Sequence, residues 1–296
     1  MQADQTGNGR LTGASASDAR NSIDRVNAWW KTSIIDIEPG KIGIRGYPIE
    51  QLIGSVGFVE QIWLAVTGEL PAPERARLLE AVLVAGIDHG PHAPSIAIAR
   101  MAMTCGVGLN NAVASALNVL GDVHGGAGEQ CMALLQEMAE AFGEEPVSTE
   151  RVAEFFGNGQ PGSGRIVPGF GHRFHGVDPR AVRLRSLVAD ACRDGVVSGR
   201  FAALAQGVEA WLARTKGRQI PLNIDGATAL VLCELGFEPA HGRGFFLLSR
   251  AVGILSHALE QRSEGGRIKG PMPPTTDYTY TGAARRDLPA GDRSSR

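Results

Sequence analysis

Apolar residues recur every three or four positions along most of this chain, and the histidines gather where that rhythm breaks. From Leu52 to Val66 and from Pro73 to Ile87 the spacing is that of amphipathic helices. Ala93 to Cys105 is apolar nearly all round, as a helix inside a large core would be. Asn110 to Leu120 reads the same way, with Asn110 or Asn111 as its cap. Glu129 to Phe142 is amphipathic and closes at Gly143. Helical spacing resumes at Pro179–Cys192, Phe201–Arg214, Ala227–Leu235 and Gly244–Gln261. The period shortens toward two only around Ser33–Ile37 and Ile42–Ile44, which flank the turn Glu38-Pro39-Gly40-Lys41. The pattern predicts a mainly α protein with a small N-terminal β-hairpin.

Gaps in the pattern suggest the organisation. Residues 1–22 are polar and lack the apolar core of a signal peptide, so they read as a flexible terminus. The stretch 157–171 is rich in glycine and holds two prolines, which marks a loop or hinge. A large helical domain is expected over 23–165 and 244–270, a smaller one over 166–243, and an extended arm over 271–296. The chain has 29 basic and 31 acidic residues, which leaves no electrostatic footprint for nucleic acid or an anionic membrane surface. No apolar run reaches the 18 residues or so of a membrane span. The cysteines Cys105, Cys131, Cys192 and Cys233 are widely spaced, as reduced thiols of a cytoplasmic protein would be.

Chemistry concentrates in four loops at helix edges: Asp88-His89-Gly90-Pro91-His92, Asp122–Glu129 with His124, Val167–Arg180, and Pro221–Gly226 with Asp225. The third holds three glycines, two prolines, two histidines, two arginines and an aspartate in fourteen residues. A helix starting near Pro179 would aim its N–H groups at the same place, so this loop suits a carboxylate or phosphate beside a titratable histidine. Asp225 by itself reads as a helix N-cap. His241 and His257 read as core or surface histidines. Asp88, His89, His92 and His124 could supply metal ligands, but Pro91 breaks the helix that would align two of them, and no thiolate cluster or H-E-x-x-H is present. No metal is expected. A serine hydrolase lacks its G-x-S-x-G elbow.

Taken in order, "HGGAGE", "PGFGHRFHGVDPR", "LNIDGATALVLCELGF" and "SRAVGILSHALEQR" resemble the active-site motifs of the citrate synthase superfamily, and "IDIEPGKIGIRGYPIEQLI" resembles its N-terminal section. The resemblance covers about residues 33–285 and implies a citrate synthase-like fold, a large helical domain plus a smaller one. It implies an enzyme that joins or separates acetyl-CoA and a 2-keto acid such as oxaloacetate, in a homodimer. No prosthetic group is implied; the coenzyme A thioester is a substrate. Asp225 matches the carboxylate that takes a proton from the thioester methyl, His124 the group that hydrogen-bonds the enol, and His172 the acid at the ketone. His89, Arg180 and Arg250 match binders of the keto acid. Val167, Pro168, Gly169, Phe170 and Gly171 match a coenzyme A loop, and Lys216 and Arg218 fall where phosphate-binding cations lie.

Some features depart from the synthases. The chain is compact, "DHGP" and "GHR" are closer in style to citryl-CoA lyase and to the lyase domain of ATP-citrate lyase, and Ile268-Lys269-Gly270-Pro271 lacks the arginine that synthases carry in the arm. Lys269 or Arg267 is the candidate to replace it. His124 is a synthase-like feature that pulls the other way, and His175 has no match. A citryl-CoA lyase-like enzyme is therefore expected. The alternatives are a citrate or 2-methylcitrate synthase that also hydrolyses the thioester, and a non-catalytic CoA-binding paralogue.

Overall fold

The computed structural model describes residues 16–157, 166–171 and 176–287. The chain divides between Arg77 and Leu78 into two units. The first contains helix α1 (Ala16–Trp29) and a three-stranded antiparallel sheet, β1 (Ile35–Glu38), β2 (Lys41–Ile44) and β3 (Tyr47–Pro48). The hairpin register pairs Glu38 with Lys41 and Ile35 with Ile44, so the turn falls at Pro39-Gly40 as its residues dictate. The third strand had no sequence signal: only two residues pair with β2. Short α2 (Ile49–Leu52) and α3 (Phe58–Thr67) follow, the latter begun by Glu60, whose carboxylate accepts the Gly57 N–H at 2.7 Å. Arg45 donates through Nε and Nη2 to the Ala65 carbonyl at 3.1 and 2.8 Å and so ties the sheet to α3.

α4 (Pro73–Gly86) crosses the division. The second unit continues with α5 (Pro94–Thr104), α6 (Leu109–Leu117), α7 (Ala127–Phe142), α8 (Thr149–Phe155), α9 (Pro179–Arg193), α10 (Arg200–Lys216), α11 (Ile224–Glu234) and α12 (Pro239–Glu264). Helices α5, α6 and α12 meet over a core built largely from small residues: Ala93, Ala99, Ala116 and Ala258, with Ile96 and Ile254. Alanines there let the helix axes approach closely. Gly108, with no capping side chain, precedes α6; the expected Asn110 or Asn111 cap is not used, and the Asn110 amide instead donates to Asn111. α11 is buried on almost every side, as its apolar composition demands. The buried Glu234 at its end accepts from the N–H groups of Gly199, Phe201 and Ala202 and from the Ser198 hydroxyl, filling the start of α10 with an internal anion.

Two elements differ from the sequence pattern in extent. α12 starts at Pro239, five residues before its expected start, because Gly242 and Gly244 are helical here. A Cβ at Gly242 would lie 2.3 Å from the Met132 sulfur, so the glycine serves packing against α7 rather than a break. α8 was not signalled; it is a short helix capped by Ser148, whose hydroxyl accepts the Arg151 N–H at 3.3 Å. All four cysteines are free, with Cys131 and Cys233 buried. Burial pushes the Cys131 thiol far above its usual range and Cys233 up to about 12, so both are inert core groups. No helix among the described residues is long and apolar enough to cross a membrane.

Candidate active site

The second unit holds a cleft of about 720 Å³ lined by His89, His92, His124, Arg180, Asp225 and Arg250, with Phe246, Val123 and Ile224 as apolar wall. Five separate segments thus deliver to one cavity six of the residues that the sequence singled out.

Asp225 stands in the first turn of α11. The cap of that helix is Asn223, whose side-chain oxygen accepts the Gly226 N–H at 3.0 Å. The cap reading of Asp225 is therefore corrected: a neighbour two residues earlier satisfies the helix end, and the carboxylate lines the cleft instead. The loop before it is fixed by the 167–171 loop. Asn223 N–H donates to Gly169 O at 2.9 Å, Asn223 Nδ2 to Gly171 O at 2.8 Å, and Gly171 N–H to Pro221 O at 2.8 Å. Contact is closest between two glycines. A Cβ at Gly226 would sit 2.2 Å from Gly169 O, and one at Gly169 would sit 2.8 Å from Gly226 Cα and 2.6 Å from Cys131 Sγ.

His124 lies on the loop before α7. Arg243 of α12 bridges two carboxylates of that loop and helix, Asp122 at 2.6 Å and Glu129. The imidazole faces the start of α5: the Ser95 N–H donates to Nε2 at 3.3 Å and the Ser95 hydroxyl lies 3.1 Å away. A backbone N–H can only donate, so Nε2 carries no proton and Nδ1 does. Burial, and then the Arg250 charge, hold His124 below its ordinary titration range against the opposing pull of Asp225, with His89 adding to the lowering. The cleft therefore contains a neutral imidazole with a defined donor.

Arg250 is buried on α12. Its Nε donates to Gly86 O at 3.1 Å and its guanidinium lies 5.0 Å from the Phe246 ring centroid. Burial lowers its proton affinity, Asp88 and Asp225 raise it, and Arg180 lowers it again, yet an arginine remains a cation. Arg180, in the first turn of α9, is gripped by the buried Asp178 through Nε at 3.1 Å and Nη2 at 2.8 Å. Asp178 also accepts the Arg180 N–H at 3.0 Å. The start of α9, expected to await an external anion, thus already holds one from the chain itself. Two guanidiniums beside one carboxylate leave the cleft suited to an anionic ligand.

Other sequence candidates lie elsewhere. Val167, Pro168, Gly169, Phe170 and Gly171 form the loop that braces Asn223, and Val167 and Pro168 also line a separate groove with Gln130 and Phe156. Lys216 ends α10 half-buried and Arg218 is exposed just beyond; neither lines the cleft. Lys269 Nζ contacts Gln261 Oε1 at 3.3 Å while its N–H donates to Thr104 Oγ1 at 2.9 Å. His172 and His175 lie outside the described residues. No group of three His, Cys, Asp or Glu among the described residues could hold a metal ion. The sequence reading missed Ser95 and Asp178, which orient His124 and Arg180; the start signals Pro94 and Pro179 beside them were the available clue.

A family profile described as citrate synthase, C-terminal domain, matches residues 71–272. The chain belongs to the citrate synthase family. Within it, the solved citryl-CoA lyase of Hydrogenobacter thermophilus is similar at 34% identity and a TM-score of 0.77, covering 88% of this chain and 97% of that one. ATP citrate lyase from Methanothrix soehngenii, solved in complex with citrate and coenzyme A, shares the fold at 22% identity and a TM-score of 0.73, over 95% of this chain and 47% of that one. Citrate synthase 2 of Bacillus subtilis (strain 168) is 27% identical over 226 residues, 75% of this chain and 56% of that protein. The chain spans about half the length of the curated relatives it matches. The citrate synthase family thus includes both reaction styles weighed from the sequence.

Proposed function

We propose that this chain is a citryl-CoA lyase-like enzyme that breaks or forms the C–C bond between acetyl-CoA and a 2-keto acid such as oxaloacetate. The observation that carries the reading is the neutral His124, held by the α5 start in the same cleft as the Asp225 carboxylate and two arginines. In the cleavage direction a proton leaves the tertiary hydroxyl of citryl-CoA, and the C–C bond breaks as the ketone forms. The electron pair passes into the thioester as an enolate. His124 Nδ1–H stabilises the developing oxyanion, and Asp225, entering as the acid, gives its proton to the methylene carbon to make the acetyl methyl group. Synthesis is the reverse, with the Asp225 carboxylate as base. Arg180, Arg250 and His89 hold the keto acid's carboxylates. The proton at the ketone oxygen is assigned by resemblance to His172. Val167–Gly171, with Lys216 and Arg218, is assigned to the coenzyme A thioester, and the chemistry calls for no prosthetic group or metal.

The substrate test is a panel of citryl-, methylcitryl- and citramalyl-CoA read by mass spectrometry for acetyl-CoA and keto acid. Cleavage of one of them supports the reading; no turnover across the panel refutes it. Net thiol release from acetyl-CoA plus oxaloacetate would instead assign a hydrolysing synthase, and CoA binding without turnover a non-catalytic paralogue.

The reading extends to assembly. On α12 the residues Leu248, Val252, Leu255 and Leu259, spaced four, three and four apart, are 39–50% exposed. They form one apolar stripe opposite the face that carries Arg250. Such a stripe is characteristic of helix pairing, and we assign it to a homodimer acting in the cytoplasm. A monomer by light scattering at micromolar concentration would overturn the dimer. The 166–243 segment is assigned as a small domain that closes on substrate and excludes water from the enol.

A further inference from the structure

His257 has no place in the proposed chemistry, yet it is 16% exposed and sits among charged partners that lead back to the cleft. It lies on α12 seven residues beyond Arg250, hence on the same face, with Gly253 between them. All three grip one loop. Arg250 Nε donates to Gly86 O; a Cβ at Gly253 would lie 2.2 Å from Ile87 O, so the loop backbone rests directly on the helix; and His257 Nε2 lies 3.2 Å from Asp88 Oδ2. Arg100 of α5 places Nη1 3.2 Å from His257 Nδ1, binds Glu260 through the same Nη1, and binds Glu264 through Nη2 at 2.6 Å. A guanidinium only donates, so His257 Nδ1 accepts and Nε2–H donates to Asp88. The groups facing the imidazole are thus Asp88, Arg100 and Glu260, the last 3.5 Å from Nδ1.

Asp88 passes the restraint on. Burial alone would raise its carboxyl, but the bond from His257 and the N–H groups of His89 and Gly90 hold it below its usual range. The same carboxylate therefore caps the backbone turn that presents His89 to the cleft. We infer that the chain Arg100–His257–Asp88 sets the position of His89, so that His257 is a positioning residue for keto-acid binding. The inference rests on the proposed reaction for its kinetic part only.

Two variants test it in the full chain. His257→Met removes the donor and keeps the bulk, whereas His257→Gln keeps an N–H donor at the ε position. Losing a hydrogen bond to a charged group is expected to raise the KM for the keto acid about 10-fold in His257→Met, with kcat and the acetyl-CoA KM changed less than about 2-fold. His257→Gln should restore the keto-acid KM. Hydrogen exchange at the His89 and Gly90 amides should quicken about 10-fold in His257→Met, stay unchanged in His257→Gln, and leave α7 protection intact. Unaltered exchange at His89 and Gly90, acceleration that spreads to α7, or a glutamine variant that behaves like methionine overturns the inference. Absence of turnover in the unmodified protein overturns the reaction reading, and exchange still decides the positioning role.

Discussion

Helices α9 and α11 each carry an aspartate at their start, Asp178 as the cap of one and Asp225 as the second residue of the other, but the two acids do opposite things. Asp178 is buried, caps α9 and grips the Arg180 fork, so its charge is spent on the fold and on orienting a cation. Asp225 lies past a cap already made by Asn223, and its carboxylate lines the cleft. Two positions at the helix start separate a carboxylate that builds from one that lines the cleft. What decides the difference is whether a neighbouring side chain has already satisfied the helix end.

The comparison breaks most visibly in activity. Asp225→Asn should lower kcat by about 10³-fold, the range for a lost general base, while leaving the melting temperature nearly unchanged. A large loss of stability would mean that Asp225 is structural like Asp178. Asp178→Ala should do the reverse in kind: a loss of about 2 kcal/mol in denaturant unfolding, because it leaves Arg180 without its buried partner and α9 without its cap. It should also raise the KM for the keto acid more than it lowers kcat. Asn223→Ala should cost about 1 kcal/mol and shift Asp225 toward cap duty, lowering kcat alongside; full activity with lost stability would separate the two roles.

The smallest effect belongs to a third helix start, that of α5, which faces an imidazole rather than a carboxylate. His124 is held below its ordinary value of about 6.5, so its neutral form persists as pH falls through that value and is lost only lower down. The acid limb of kcat/KM assigned to His124 should therefore lie below about 6.5. Ser95→Ala should move that limb only slightly in a pH profile of kcat/KM, since the backbone donor at Ser95 stays.

Most of the helical layout was legible because its driving force is periodic burial. α7 and α9 begin and end within two residues of their apolar pattern. What escaped depended on partners far away in sequence. The early start of α12 needed Met132 across from Gly242, and β3 needed β2 beside it. In the site, His89, His124, Arg180, Asp225 and Arg250 were found by motif and do share one cleft. Their supports were not: nothing near His124 in sequence points to Ser95, twenty-nine residues away, and His257 read as a core or surface histidine until Asp88 appeared 169 positions from it.

The meeting of Gly169 with Gly226 has a kinematic consequence. With no atoms to spare between those backbones and three hydrogen bonds alongside, the 167–171 loop cannot slide over the start of α11. Whatever displacement admits or releases a ligand must carry Asp225 and that loop together, as one rigid lever. The Asp225 carboxylate and its neighbouring backbone would arrive at a ligand simultaneously, and a mutation that enlarges either glycine would be felt first as a loss of synchrony.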